Sequence, residues 1–164
     1  MEHLWSPWRL AYITGVNPAT GCVFCAAQTE AEADALMVFR GRTCFVILNL
    51  FPYNNGHLMV IPNRHVATLA ATTAEERREL IELTATAETA LTEAYAPHGL
   101  NVGMNLGRPA GAGILDHVHM HVVPRWNGDT NFMAVVGKTR VLAETLPDTA
   151  AKLRPIFERL AGGR

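Results

Sequence analysis

The chain has 164 residues, of which 49% are hydrophobic and 18% charged, an ordinary composition for a soluble globular protein. This length allows one domain that buries about 70% of the surface of its unfolded chain, and we expect a single domain over residues 1–164. The formal net charge of −1 excludes a generally basic surface that would bind nucleic-acid polymers, so an anionic ligand needs a local positive site.

The beginning of the chain carries no targeting pattern. The segment Met1–Trp5 lacks the basic start and the apolar stretch of a signal peptide, and no later apolar run approaches the ~20 residues that span a bilayer. Three cysteines are present, and Cys22 and Cys25 form a C-x-x-C pair. An odd count with one such pair suits a metal or redox role in a reducing compartment, so we expect a cytoplasmic protein without membrane contact.

The first half of the chain predicts an irregular N-terminal arm over residues 1–20, three strands and a long helix. Gly41-Arg42 separates the first two strands, as in a hairpin, and Pro62 ends the third. Thr73-Ala74-Glu75-Glu76 has capping-box spacing, and apolar residues then recur at helical intervals up to Pro97. The predicted strands cover residues 35–40, 43–48 and 57–61, and the predicted helix covers residues 74–95.

The second half predicts two more strands and a helix within a C-terminal extension over residues 127–164. A glycine-rich loop over residues 107–113 joins the strands, and Pro124 ends the second. The strands are predicted at 101–106 and 117–123, and the helix at 147–160. Strands in hairpins with one long helix between pairs predict an α+β fold, with an antiparallel sheet of about five strands, one long helix and a C-terminal helix.

The last strand contains three histidines, His117, His119 and His121, spaced by two. Alternate side chains of a strand share a face, so the three imidazoles point the same way. Such a row is a poor core, because each ring needs partners for two nitrogens and protonated rings repel each other. The spacing therefore indicates a metal site or catalytic chemistry rather than three structural histidines.

The glycine-rich loop before this strand allows tight turns that aim backbone N–H groups at an anion. Alone, the loop is equally typical of a plain turn. Beside the histidines, it favours phosphate chemistry, which needs donors for the charge on phosphoryl oxygens. Asn105, just before the loop, is a further candidate donor to a phosphate or a ribose.

Two motifs in this order resemble the histidine triad (HIT) superfamily. They are the triad with its apolar neighbours and the upstream stretch Asn-Leu-Phe-Pro-Tyr-Asn-Asn-Gly-His-Leu-Met-Val-Ile-Pro at 49–62. The resemblance covers about residues 20–126. Leu-Trp-Ser-Pro-Trp-Arg at 4–9 and Pro-Arg-Trp-Asn-Gly-Asp-Thr-Asn-Phe at 124–132 are similar to a bacterial branch that includes diadenosine tetraphosphate phosphorylases and hydrolases. The resemblance implies an HIT-like fold and cleavage of a dinucleoside polyphosphate at its α-phosphorus.

The resemblance also implies residue roles. His119 attacks the α-phosphorus and forms a nucleotidyl-histidine intermediate. His121 contacts a phosphoryl oxygen or assists the leaving group, and His117 supports the backbone and orientation around the nucleophile. Asn49 matches a position that binds the ribose. His57 is expected to be a partner behind the triad and is counted with Asn49 among the nucleotide-binding residues.

This chain has Gly113 and Ile114 where many family members carry Gln, Ser or Thr to contact the phosphate. Backbone N–H groups of the glycine-rich loop, Asn105 or Arg108 must take that part. Gly111 and Gly113 therefore join the expected nucleotide-binding residues. So does Trp126, which is equally consistent with stacking on a base, a subunit interface or a core position.

A zinc site is a further expectation, since zinc often binds a C-x-x-C pair with two more nitrogen or sulfur ligands. Similarity to HIT proteins with this pair, and to galactose-1-phosphate uridylyltransferases, implies the ligands Cys22, Cys25, His65 and His117. Zinc would then be structural and would pin the N-terminal arm to the catalytic strand. Two thiols without a metal are the alternative.

Several functional alternatives stay open on the sequence alone. Water as the second acceptor gives a hydrolase, which His121 favours, and inorganic phosphate gives a phosphorylase. The others are a nucleoside phosphoramidase and a non-catalytic nucleotide-binding interaction protein. No organic cofactor is expected, and the resemblance implies a homodimer through the long helix and a strand edge, or a tetramer.

Overall fold

The computed structural model describes residues 21–29, 36–129 and 143–162. The predicted N-terminal arm over residues 1–20 lies outside the described residues, and so does part of the predicted C-terminal extension. The helices are α1 (Val23–Ala26), α2 (Ala74–Tyr95) and α3 (Leu146–Ala161), and the strands are β1 (Met37–Arg40), β2 (Cys44–Leu48), β3 (Leu58–Pro62), β4 (Gly99–Gly103) and β5 (Met120–Arg125).

The five strands form one antiparallel sheet in the order β1-β2-β3-β5-β4. The predicted α+β class and five-stranded sheet are therefore confirmed. Every residue of β2 and β3 is buried, because both faces of these central strands are covered. Alternate side chains enter two cores: Val46 and Val60 lie in the core on the helix side, whereas Phe45 and Ile61 pack with Phe24 on the opposite face.

The long helix α2 packs on β2, β3 and β5, while α3 packs on α2 and β1. The predicted capping box is present: the Thr73 hydroxyl accepts from the Glu76 N–H, and the Glu76 carboxylate accepts from the Thr73 N–H. Ala96 ends the helix in the left-handed conformation, with φ +44°. Among the described residues, no helix is both long and apolar enough to cross a membrane.

The predicted strand over residues 101–106 is wrong at both ends, since β4 covers Gly99–Gly103. It begins early because the left-handed turn at Ala96 returns the chain at once, and the His98 N–H donates to the Arg125 carbonyl at 2.9 Å. Its pairing ends at Gly103 opposite His121, one residue from the start of β5.

The predicted strand over residues 117–123 is also wrong at both ends, so that of the three histidines His121 alone lies in β5. The Pro62 carbonyl, where β3 ends, accepts from the His117 imidazole at 2.8 Å instead of continuing the ladder. The Val118 N–H donates to the Val66 carbonyl at 2.7 Å. Pro124 does not end the strand, because β3 pairing stops at Val122 and a proline is tolerated where a strand has one neighbour.

Candidate active site

The three histidines lie on the side of the sheet opposite α2 and α3: His121 is in β5, and His117 and His119, just before it, contact Phe24. Their surroundings differ. His117 is fully buried, His119 is 5% exposed and His121 is half-buried. The rings of His119 and His121 are nearly perpendicular, with centroids 4.8 Å apart. Each ring has a different hydrogen-bond partner, and those partners define which nitrogen carries the proton.

His119 has the arrangement of a nucleophile. Its Nδ1 lies 2.9 Å from the His117 carbonyl oxygen. A carbonyl can only accept, so the Nδ1 carries the proton and the lone pair lies on Nε2. Burial lowers the pKa of His119, so its imidazole is neutral at neutral pH. A neutral imidazole with its lone pair on a defined nitrogen can attack an electrophilic phosphorus.

Phe24 packs against His119, a contact that the sequence did not reveal. Its ring centroid lies 4.9 Å from that of His119 and 5.6 Å from that of His117. Phe24 is buried on α1, between the two cysteines of the C-x-x-C pair. The sequence does hint at this contact, because Phe24 lies between the two cysteines. Any fold that brings Cys25 close to His117 also brings Phe24 close to the histidines.

His121 lies at the end of a hydrogen-bonded chain from the loop before β3. The Tyr53 N–H donates to the His57 Nδ1 at 3.1 Å, so the proton of a neutral His57 lies on Nε2. That Nε2 is 3.0 Å from the His121 Nδ1, which therefore accepts. The chain places the His121 proton on Nε2, where it can be donated to a substrate oxygen.

The predicted partnership of His57 with the triad is thus present in the structure, with His57 fully buried behind His121. Tyr53 was missed as a contributor, although it lies in the motif at 49–62. Its backbone N–H rather than its side chain supplies the hydrogen bond to His57, and a sequence pattern does not specify backbone geometry.

The His117 ring faces the cysteine pair. Its Nδ1 lies 3.3 Å from the Cys22 Sγ and 3.7 Å from the Cys25 Sγ, and the His65 Nδ1 lies 3.4 Å from the Cys25 Sγ. The four ligand atoms all lie within 4.8 Å of one another. The fold therefore brings together the four residues that the sequence predicted as zinc ligands.

This cluster fits a tetrahedral metal. Zinc bonds of about 2.0 Å to nitrogen and 2.3 Å to sulfur place a nitrogen and a sulfur ligand about 3.5 Å apart, close to the observed sulfur–nitrogen distances. The His117 Nε2–H donates to the Pro62 carbonyl, which leaves the Nδ1 lone pair directed at the thiols. Burial, followed by the neighbouring Cys22, raises the pKa of the Cys25 thiol, and a bound cation would offset that cost by favouring the thiolate.

Three more predicted nucleotide-binding residues lie before and after the triad in the chain: Asn49, Asn105 and Trp126. Asn49 is next to His57, because its N–H donates to the His57 carbonyl at 2.9 Å, and its side-chain oxygen accepts from the Phe51 N–H. Asn105 is half-buried in the segment after β4. Trp126 is half-buried in the turn after β5, and its N–H donates to the Asp129 carboxylate at 3.1 Å.

The glycine-rich loop uses some of its own donors internally. The Gly111 N–H donates to the Arg108 carbonyl and the Ala112 N–H to the Gly107 carbonyl. Gly107 and Gly111 have φ of +85° and +93°, so each supports a turn that other residues rarely adopt. The Gly111 N–H is thus already engaged, whereas Gly113 is exposed.

Comparisons with known proteins find related sequences and similar folds. The family model described as "HIT domain" matches residues 30–128. A Mycobacterium tuberculosis protein named AP-4-A phosphorylase is 39% identical over 97% of this chain and 86% of its own length. A Zn-bound histidine triad family protein from Mycobacterium smegmatis has a TM-score of 0.70 and 28% identity, over 88% of this chain and 98% of its own. A hypothetical histidine triad nucleotide-binding protein from Sulfolobus tokodaii has a TM-score of 0.68 and 26% identity, over 85% and 93% of the two chains.

Proposed function

This chain belongs to the HIT family, and from that premise we propose that it is an enzyme that cleaves dinucleoside polyphosphates of the diadenosine tetraphosphate type at the α-phosphorus. The observation that carries the proposal is the pairing of a lone pair on the His119 Nε2 with a proton on the His121 Nε2, in neighbouring rings. The AP-4-A phosphorylase that aligns with nearly the whole chain supports the substrate class.

The first step forms a covalent intermediate. The His119 Nε2 attacks the α-phosphorus and forms a nitrogen–phosphorus bond, while the bond from that phosphorus to its bridging oxygen breaks. With diadenosine tetraphosphate, the leaving group is ATP. The His121 Nε2–H donates to the departing oxygen or to a phosphoryl oxygen, where negative charge develops.

The second step transfers the nucleotidyl group from His119 to an acceptor oxygen and restores the free imidazole. Inorganic phosphate as acceptor gives ADP, and water gives AMP. We propose phosphate, because the relative that is 39% identical over 97% of this chain is named a phosphorylase. The sequence alone left the acceptor open, and His121 was the feature that favoured water.

The residues proposed to hold zinc are Cys22, Cys25, His65 and His117. Bound there, the ion would supply a structural cross-link. The cross-link joins α1 to the segment before β5, whose His117 carbonyl fixes the proton of His119. A zinc-bound structural neighbour supports the assignment. Metal analysis of protein purified without chelator is expected to give one zinc per chain, and zinc-free protein would contradict it.

Asn49, Asn105, Gly113 and Trp126 are proposed to bind the nucleotide. For Gly111 we propose that its positive φ shapes the phosphate-facing loop, since its N–H donates within the loop. An Asn49→Ala variant tests the ribose contact. It is expected to raise KM more than it lowers kcat, because that contact exists in both ground and transition states.

We also propose a homodimer through the β4 edge. β4 is the last strand of the sheet, and four of its five residues are exposed, with Val102 49% exposed. Light scattering with size-exclusion chromatography is expected to give twice the chain mass, and a monomer at micromolar concentration would contradict this.

Product analysis tests the reaction. Diadenosine tetraphosphate is incubated with the protein in the presence and absence of inorganic phosphate, and nucleotides are separated by ion exchange. ATP and ADP that appear only with phosphate support the proposed phosphorylase, and labelled phosphate is expected in the ADP. ATP and AMP without phosphate indicate a hydrolase. Equal turnover by the wild type and His119→Ala contradicts the enzyme proposal altogether.

A further inference from the structure

The loop that carries Tyr53 and His57 is anchored to the turn that follows β5. We propose that Asn54 and Asp129 are positioning residues that fix which nitrogens of His57 and His121 carry protons. The inference rests on the proposed function for its kinetic consequence, but the protonation pattern itself can be measured without substrate. Asp129 is one residue beyond the 30–128 region that the family model matches.

Asn54 is the link between the two segments. Its side-chain nitrogen lies 3.0 Å from the Pro124 carbonyl and 2.7 Å from the Asp129 Oδ2, so both amide hydrogens are donated to the strand β5 and its turn. The Asn54 carbonyl accepts from the His57 N–H at 3.2 Å. The side chain therefore sets the position of the backbone next to His57.

Asp129 defines the orientation of this link. Its carboxylate accepts from the Arg125 Nε at 2.6 Å, the Arg125 Nη2 at 2.9 Å and the Trp126 N–H at 3.1 Å, in addition to Asn54. The Arg125 guanidinium holds the pKa of this carboxyl well below its usual range, so it stays ionised and can only accept. The Asp129 side chain is 11% exposed, whereas that of Arg125 is 43% exposed, so the carboxylate is the more enclosed partner of the pair.

The consequence reaches the triad through Tyr53. With the loop anchored by Asn54, the Tyr53 N–H donates to the His57 Nδ1 at 3.1 Å. The Tyr53 ring stacks on the same imidazole, with ring centroids 4.8 Å apart and an interplanar angle of 29°. Without the anchor, the His57 Nδ1 loses a fixed donor and the proton is free to occupy either nitrogen. His121 would then no longer keep its proton on Nε2, the nitrogen that the proposed function uses as the proton donor.

Imidazole nitrogen chemical shifts measure this directly. Long-range 1H–15N spectra of the full chain distinguish a protonated from an unprotonated ring nitrogen. The wild type is expected to show His57 and His121 protonated on Nε2 only. Asn54→Ala is expected to give intermediate shifts for both rings, and Asp129→Asn a smaller change in the same direction, since the amide oxygen still accepts from Arg125 and Trp126.

A matched control removes a distant carboxylate. Glu93 forms an exposed ion pair with Arg159 between α2 and α3, and Glu93→Gln is expected to leave the shifts of both histidines unchanged. If Asn54→Ala does not fold, the imidazole nitrogen shifts of Asp129→Asn test the proposal by themselves. Folded variants that keep the wild-type protonation pattern overturn the proposal.

Kinetics give the second readout. Asn54→Ala is expected to lower kcat by about tenfold or more and to leave KM within about twofold, because a misplaced proton donor affects the transition state and not nucleotide binding. A raised KM with unchanged kcat would overturn the positioning role. If the wild type cleaves no dinucleoside polyphosphate, the proposed function fails while the nitrogen shifts still test the positioning.

Discussion

The two ends of the histidine triad have the same residue type, yet the structure gives them different surroundings. At one end, His117 is fully buried, and its Nδ1 faces the thiols of Cys22 and Cys25. At the other end, His121 is half-buried, and its Nδ1 accepts from the buried His57. In both rings the partner of one nitrogen determines what the second can do, so the same residue type suits the two different roles proposed for it, metal ligand for His117 and proton donor for His121.

The middle histidine is connected to both ends. Its Nδ1–H donates to the His117 carbonyl, and its ring lies against that of His121. The His117 carbonyl therefore orients the His119 ring, and the His121 ring, the proposed proton donor, lies beside it. Substitutions at the centre and at each end should separate these contributions.

The largest effect is expected at the centre. His119→Asn removes the attacking nitrogen while it keeps a polar side chain of similar size, so kcat should fall by about 10³-fold or more. The measurement is steady-state turnover of diadenosine tetraphosphate. Zinc content and far-ultraviolet circular dichroism should match the wild type, and a folded variant within tenfold of wild-type kcat would remove His119 as nucleophile.

A second substitution removes the hydrogen bond between His57 and His121. His57→Phe fills the buried space but removes the Nε2–H that donates to His121. We expect kcat to fall by about 10²-fold with little change in KM, because proton donation contributes only in the transition state. Single-turnover measurements of ATP release report this step. Unchanged zinc content would confirm that the two ends are independent.

A third change breaks the His117 end. His65→Asn removes one of the four clustered ligands, so zinc should be lost and the Tm should fall by about 5–10 °C. Below that melting temperature, kcat should fall less than in His57→Phe. His98→Asn is the matched control, since His98 is also exposed but outside the cluster, and it should keep its zinc. Full zinc in His65→Asn would contradict the ligand set.

The smallest effect on the protein is expected from a substitution of Glu76, at the start of α2, which contacts Arg64 beside the proposed zinc ligand His65. The Glu76 carboxylate bonds Arg64, next to His65, and also caps the helix. The Arg64 guanidinium is the main reason that the pKa of Glu76 is below its ordinary value of 4.5. We expect Glu76→Gln to lose about 1–2 kcal/mol of unfolding free energy at neutral pH.

The sign of its pH dependence follows from that lowered pKa. The native state favours the ionised carboxylate, so the contribution of Glu76 is fully present above pH 4.5 and is lost as the pH falls through the lower native value. Denaturant unfolding of wild type and Glu76→Gln should therefore differ most at neutral pH and converge in acid. A difference that grows on acidification would contradict this account.

Much of the fold could be predicted from local pattern. The capping box at Thr73 and the helical spacing after it place α2 at residues 74–95, as observed. Strand ends were less predictable, because they depend on where a neighbouring strand stops. The Pro62 carbonyl, at the end of β3, accepts from the His117 ring, and β5 pairs with β3 only from Met120 onward, so His117 and His119 lie outside the strand.

For the candidate site as well, some features follow from the sequence and others depend on the tertiary structure. The sequence by itself determined the residue types: three histidines at alternate positions, a cysteine pair, and a motif around His57, all recognisable because chemistry restricts which residues can serve. Only the tertiary structure decided their partners, because the contacts join distant segments. Cys22 meets His117 across 95 residues, and Asn54 meets Asp129 across 75. The choice of nitrogen for each proton then follows from backbone carbonyls and N–H groups whose positions depend on packing, as in the bond from His119 to the His117 carbonyl.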